Sequence, residues 1–143
     1  MFTVRLIIGI LLASFWSVSS AEIGQIKKLT GTVHILREGQ QLAPAAGDAV
    51  QQYDTIVTGA DGSVGITFID NSRFSTGPNS ELELSRFRFD TTTHEGEFAA
   101  GLNKGTLSVV SGQLAKHSPQ QMKVRTPSSL LAVRGTSFLI RVG

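Results

Sequence analysis

The chain has 143 residues, 41% of them hydrophobic, and no cysteine. This length suffices for one domain with its own hydrophobic core, and the lack of cysteine excludes disulfides, thiol catalysis and a lipoprotein anchor. The formal charge is +2, from 13 basic and 11 acidic residues, and no basic stripe indicates a nucleic-acid-binding protein.

The first 21 residues have the pattern of a secretory signal peptide. Arg5 precedes an apolar run over residues 6–16, and small residues follow up to Ala21. We expect cleavage after Ala21, which places residues 22–143 in the periplasm or outside the cell. The run is shorter than the roughly 20 residues of a spanning helix, but an uncleaved membrane anchor is the alternative. After cleavage the formal charge is +1, and no remaining segment is expected to span a membrane.

The segment from residue 31 to residue 69 is predicted to consist of short strands and turns. Alternation places Val33 and Ile35 on one face of the first strand. Asp61-Gly62 is a strong hairpin signal between two alternating runs. The second of these runs is expected to place three apolar side chains on one face: Val64, Ile66 and Phe68.

The segment around residue 85 is the clearest amphipathic strand of the chain. Leu82 and Leu84 alternate with glutamates and are expected to face the core. The apolar spacing shifts before Phe87 and Phe89, one or both of which also face the core. This shift predicts a β-bulge near residues 85–86.

The C-terminal third is predicted to alternate between polar loops and extended runs. Residues 90–97 and 113–121 are polar and are expected to be loops. An extended run restarts at Met122, and Pro127 marks a turn after it. The continuous apolar run 130–133 is expected to be packed on both faces.

These short strands, separated by glycine, proline, aspartate and asparagine, predict one all-β domain over residues 22–143. Similar glycine-led pieces start at residues 31, 62, 105 and 135, but their spacing is too uneven for a strict repeat. We therefore expect a jelly-roll-like or β-solenoid-like stack of strands.

One C-terminal motif resembles a known family. Thr126-Pro127 is followed by Ala132-Val133-Arg134-Gly135-Thr136 and then by Phe138, which closely resembles the signature of the FecR-type periplasmic domain. Further similar fragments occur in the expected order, so that the resemblance covers residues 31–138. They include Gly31-Thr32-Val33, Gly47-Asp48, Asp54-Thr55-Ile56, Gly62-Ser63-Val64, Pro78-Asn79-Ser80 and Gly105-Thr106-Leu107.

The resemblance implies an all-β, non-catalytic domain in the bacterial envelope. The best-known members regulate iron–siderophore uptake through a cytoplasmic anti-sigma segment, a transmembrane helix and this domain, which senses an outer-membrane receptor. Only five residues precede the apolar run here, so we expect a stand-alone exported form without the anti-sigma segment. Members usually continue beyond the last strand. The reading frame is therefore either truncated, or its last strand is an exposed edge open to pairing.

The resemblance does not assign catalytic residues, and its signature residues are expected to be mainly structural. Arg134 either contacts a partner or, more simply, donates to backbone carbonyls at a turn beside Gly135. Phe87 and Phe89 alternate with arginines and are either stacking rings for an envelope glycan or core residues. A role in binding nucleic acid is not expected of an exported protein.

No pattern of catalytic or metal-binding residues stands out. His34, His94 and His117 lack ligand spacing, so neither a zinc site nor another cofactor is expected. Asp61-Gly62 and Asp70-Asn71 are explained by turn formation rather than by calcium binding. No Gly-x-Ser-x-Gly motif indicates a serine hydrolase.

The sequence therefore predicts a non-enzymatic periplasmic domain that contacts another protein in envelope sensing, signal transduction or envelope organisation. The expected partner is an outer-membrane or periplasmic protein. The alternative is a binding module for cell-wall glycan or another extracytoplasmic polysaccharide.

Overall fold

A computed structural model describes residues 22–132 and 137–143. The predicted signal segment 1–21 and the signature residues Val133, Arg134, Gly135 and Thr136 lie outside the described residues. The domain is all-β, which confirms the predicted fold class. Its strands are β1 (Glu22–Thr30), β2 (Val33–Arg37), β3 (Gln40–Leu42), β4 (Ala49–Gln51), β5 (Thr55–Thr58), β6 (Ser63–Phe68), β7 (Arg73–Thr76), β8 (Glu81–Phe89), β9 (Gly96–Val110), β10 (Met122–Arg125), β11 (Leu130–Ala132) and β12 (Ser137–Val142).

The strands form two sheets that share the long strand β9. The first sheet has the order β12-β9-β7-β6-β1-β4, and the second has the order β3-β2-β5-β8-β9-β10-β11. Neighbouring strands are antiparallel except for β9 and β10, which are parallel. The N-terminal part of β9 pairs with β8 up to Lys104, and its C-terminal part pairs with β12 from Gly105 onward. Gly105 has a φ of +91° at the point where the strand passes between the sheets.

Four phenylalanine rings join the two sheets in the centre of the core. Phe68 and Phe74 belong to the first sheet, and Phe87 and Phe98 belong to the second. The ring centroid of Phe98 lies 4.9 Å from those of Phe68 and Phe87 and 5.0 Å from that of Phe74. Phe98 is fully buried, so it is the central residue of this cluster.

The predicted burial of the amphipathic strands is confirmed. The side chains of Val64, Ile66 and Phe68 are all buried on the inner face of β6. On β8 the pairing register shifts between Leu84 and Arg86, which confirms the predicted bulge.

The predicted hairpin at Asp61-Gly62 is wrong. β5 pairs with β2 and β8, whereas β6 pairs with β1 and β7, so this turn carries the chain from one sheet to the other. The turn packs against Gly31-Thr32 so closely that a Cβ on Gly62 would collide with the carbonyl oxygen of Thr32. The backbone N–H of Thr32 donates to the Asp61 carboxylate at 3.2 Å and lowers the pKa of Asp61. Local turn chemistry is the same for a hairpin and for this crossing, and long-range packing decides between them.

The segment 113–121 is not a plain loop as predicted. It contains a short helix, α1 (Gln113–His117), followed by a 3₁₀ turn (Pro119–Gln121). Leu114 of α1 is fully buried, and its backbone N–H donates to the carboxylate of the buried Asp70 at 3.3 Å. A helix of five residues is too short to produce a recognisable apolar period.

The polar segment 90–97 contains a hairpin loop between β8 and β9, in agreement with the loop predicted there. The Asp90 carboxylate accepts hydrogen bonds from the backbone N–H groups of Thr92 at 2.8 Å and Thr93 at 3.1 Å. These bonds lower the pKa of Asp90 and close the turn.

Candidate functional site

The two C-terminal strands form the edges of the two sheets on the same side of β9. β12 pairs with β9 over its full length, from Ser137 opposite Val110 to Val142 opposite Gly105. Within residues 22–132 and 137–143, β12 has no second neighbour, and β11 pairs with β10 alone. Among the described strands, β12 thus lies at an edge of the first sheet, and whether the reading frame is truncated stays a prediction.

β12 differs from the other edge strands of the described residues in length. The edge strands β3, β4 and β11 have three residues each, whereas β12 has six. Proteins usually protect a sheet edge by shortening it or by adding proline, charge or a bulge. β12 contains no proline, has one charged residue, Arg141, and pairs with β9 without a register shift. It is therefore a regular and largely unprotected edge.

Exposed leucines concentrate on these two strands. Leu130 and Leu139 are each 65% exposed, and Leu131 is 39% exposed. The prediction that residues 130–133 are packed on both faces is therefore wrong for Leu130–Ala132, all of which are exposed. In the described part of the chain β11 pairs with β10 alone, at the outer end of the second sheet, where its side chains reach solvent. Val133 lies outside the described residues.

A groove separates the β10–β11 turn from the end of β12. Its volume is about 420 Å³, and its lining includes Pro127, Leu131, Ile140 and Val142. The signature residues that the structure describes shape this region. Thr126 and Ser129 exchange backbone hydrogen bonds of 2.8 and 3.4 Å, so Thr126-Pro127 forms a tight turn. Phe138 is partly buried and packs against the core from β12.

The two rings proposed from the sequence as glycan contacts lie in different settings. Phe87 is 6% exposed and belongs to the central phenylalanine cluster, so its ring has no face available to a ligand. Phe89 is partly buried, and its ring stacks on His94 with centroids 5.9 Å apart. The alternation of arginine and phenylalanine on β8 thus corresponds to solvent-facing charges beside core residues.

An ion pair that was not predicted from the sequence links the end of β2 to the residue directly before β5. Arg37 Nε and Nη2 donate to the two carboxylate oxygens of Asp54, each at 2.8 Å. The backbone N–H of Gln51 donates to the same carboxylate at 2.8 Å, and Asp54 is almost fully buried. The hydrogen bond with Asp54 raises the pKa of Arg37. Because both oxygens of this buried carboxylate accept hydrogen bonds from the protein itself, the pair has a structural role.

The described residues do not bring catalytic or metal-binding groups together. His34 lies on β2, His94 lies in the β8–β9 loop, and His117 ends α1. No group of three or more histidine, aspartate or glutamate side chains in the described segments is arranged to hold a metal ion. What the arrangement offers instead is backbone and apolar contact along the β12 edge.

Comparison with known proteins identifies the family. Within the described part of the chain, no helix has the length and apolar character needed to cross a membrane. No curated protein and no solved structure matches the chain significantly. A family model described as FecR protein matches residues 54–143, well over half of the sequence, including β12 and the turn at Pro127. The chain therefore belongs to the FecR family, an envelope-associated family with signalling rather than enzymatic roles.

Proposed function

We propose that this protein is an exported, non-enzymatic FecR domain that binds another envelope protein in sensing or envelope organisation. The observation that carries the proposal is the free edge of β12, a six-residue strand beside the exposed leucines of β11. The partner is an outer-membrane or periplasmic protein that presents an extended segment to this edge.

Such a segment would add a strand to the first sheet. Its backbone would hydrogen-bond to the free N–H and C=O groups of β12, which gives affinity without dependence on sequence. Specificity would come from apolar side chains that cover Leu139 on the outer face and enter the groove beside Leu131. Burying a leucine contributes about 1.5–3 kcal/mol, so a few such contacts give substantial affinity.

The proposal predicts that charges on this edge abolish partner binding. Protein produced from the full sequence is used to capture partners from envelope extract, in parallel with the variant Leu130→Lys/Leu139→Lys. We expect capture of one specific partner to fall by about tenfold or more, because two lysines would have to be desolvated against the added strand. Both leucines are 65% exposed, so the fold should tolerate the change, as checked by circular dichroism.

The matched control is Leu36→Lys/Ile69→Lys. These residues are 40% and 45% exposed, lie on β2 and after β6, and give the same change of charge. Unchanged capture by this control is expected. If both double variants lose the partner equally, the effect is one of charge alone and the assignment to the β12 edge fails.

Export is a separate part of the proposal and has its own test. When the full reading frame is expressed in a Gram-negative host, we expect the recovered protein to be periplasmic and to begin at Glu22. Intact mass and N-terminal sequencing measure this directly. A product that keeps residues 1–21 in the membrane fraction would establish the uncleaved anchor instead.

A further inference from the structure

The outer surface of the first sheet carries basic side chains almost without acidic ones. Lys28 of β1, Arg73 of β7 and Arg141 of β12 are exposed at outward-facing positions of their strands. Lys27 is the extra residue where the β1–β6 register shifts, and it is also exposed. With β9 counted only from Gly105 onward, the strands of this sheet contain a single acidic residue, Glu22, at the start of β1. We call this surface, defined by the four cations, the basic face.

The fold separates charges that look balanced in the sequence. Four basic residues and one acidic residue give the strands of the first sheet, with β9 counted from Gly105 onward, a net charge of +3. Eight basic and ten acidic residues give the rest of 22–143 a net charge of −2. The ion pairs between described residues, Arg37–Asp54, Arg86–Glu97 and Arg125–Glu83, all belong to the second sheet and its turns. The cations of the basic face therefore have no carboxylate partner among the described residues and are available to an external anion.

Small and hydroxyl-bearing side chains lie between these cations. Gly65 pairs with Ser75, and Ser75 pairs with Ser108, so these three residues form a row across β6, β7 and β9. A Cβ on Gly65 would have no neighbour closer than 3.6 Å, so the surface above it is open. The outward positions next to this row carry further hydroxyls, those of Ser63, Thr67 and Thr106. The result is a polar surface bordered by positive charge.

We propose that the basic face binds an acidic polysaccharide, a chain of sugar units that carry carboxylates. Carboxylates form charge-assisted hydrogen bonds with arginine and lysine, and sugar hydroxyls exchange hydrogen bonds with serine and threonine. The strands that carry Lys28, Arg73 and Arg141 are second neighbours in the sheet, so successive ones lie about 10 Å apart, close to the length of two sugar units in an extended chain. This binding function goes beyond the protein contact proposed above, and the two surfaces meet at β12, whose outward side carries both Leu139 and Arg141.

Two other polyanionic ligands, single-stranded nucleic acid and a lipid surface, fit the basic face less well. Single-stranded nucleic acid is usually held by aromatic side chains on which bases stack, and the outward positions of these strands carry none in the described residues. A lipid surface is bound by inserting several large apolar side chains, and the described part of this face offers only two separated exposed ones, Leu139 on β12 and Ile69 directly after β6. An acidic glycan needs neither.

The test is a titration of protein from the full sequence with polygalacturonate, which has a carboxylate on each sugar, and with neutral dextran. We expect binding to polygalacturonate that weakens as sodium chloride is raised from about 50 to about 300 mM, because screening shortens the range of the charges. The variant Lys28→Gln/Arg73→Gln/Arg141→Gln is expected to bind about tenfold or more weakly, because three charge-assisted contacts are lost.

The matched control is Arg88→Gln/Lys104→Gln/Lys123→Gln. These exposed cations belong to strands of the second sheet in the region where β9 pairs with β8 and β10, and their removal changes the net charge equally. We expect the affinity of the control for polygalacturonate to fall by less than about threefold, since the three cations that it lacks act on the ligand only at long range. Circular dichroism establishes that both variants fold.

Several outcomes would overturn the proposal: no binding to polygalacturonate, equal binding to dextran, or equal weakening by both triple variants. Polyuridylate is the further comparison. If it binds as tightly as polygalacturonate and depends on the same three cations, the face is a general anion surface and the assignment to a polysaccharide is wrong.

Discussion

Replacing Phe98 with alanine is expected to lower the free energy of unfolding by about 3–5 kcal/mol. Its side chain is fully buried, and its ring contacts those of Phe68, Phe74 and Phe87 from both sheets. Truncation would leave a cavity at the point where the two sheets meet, and three large rings cannot collapse into it without leaving their own packing. Urea unfolding followed by far-ultraviolet circular dichroism measures the loss.

Phe89→Ala is the control for Phe98→Ala. It removes the same atoms from a ring that is only partly buried at the end of β8. We expect a smaller loss, of about 1–2 kcal/mol, because part of this ring stays in water and its removal opens no enclosed cavity between the sheets. Similar losses for the two variants would mean that the phenylalanine cluster does not join the sheets as described.

The second large effect is expected at Gly105, where β9 passes between the sheets. Its φ of +91° disfavours any side chain, and a Cβ there would lie only 2.5 Å from the Cα of Ser80. Ser80 is fully buried directly before the second-sheet strand β8, so the backbone has no free space to move into. We expect Gly105→Ala to cost about 3 kcal/mol or more, as measured by urea unfolding.

Gly47→Ala separates backbone strain from steric collision. Gly47 has a similar φ of +98°, but a Cβ there would meet no atom within 4 Å. Gly47→Ala should lower the free energy of unfolding by about 1 kcal/mol. The left-handed conformation costs alanine about 1–2 kcal/mol, and the lower entropy of the unfolded chain partly offsets this cost. Equal costs at the two glycines would contradict the close approach of β9 to Ser80.

Local patterns in the sequence predicted the strands because alternation is a property of a few consecutive residues. Val64, Ile66 and Phe68 are buried together as expected, and the change of spacing before Phe87 located the bulge on β8. The FecR resemblance was equally readable, since its fragments occur in order along one chain. These features depend on neighbouring residues.

Pairing between distant strands was not readable in the same way. Asp61-Gly62 has hairpin composition but connects two sheets, and Leu130–Ala132 is apolar but exposed at an edge. The basic face also arises from pairing, because it assembles Lys28, Arg73 and Arg141 from three strands that are far apart in sequence. Alternation along one strand shows which of its side chains point outward. It does not show which strands, and therefore which charges, lie in the same sheet.

The candidate site was predicted in part. An edge position of the last strand was one of two alternatives drawn from the sequence, whereas the exposure of Leu139 was not predicted. The sequence left two roles open for Phe87, a core residue or a ligand contact. Its side chain is buried, so it is a core residue. Arg134, the residue singled out first from the motif, lies outside the described residues, and its role stays a prediction.

Amide hydrogen exchange of β12, with and without the captured protein partner, tests the proposed interaction most directly. An added strand would hydrogen-bond to the free edge, so we expect slower exchange within Ser137–Val142 on binding. The short edge strands β3 and β4 should remain unchanged in the same experiment. Slower exchange at β3 or β4 with none at β12 would contradict strand addition at the C-terminal edge.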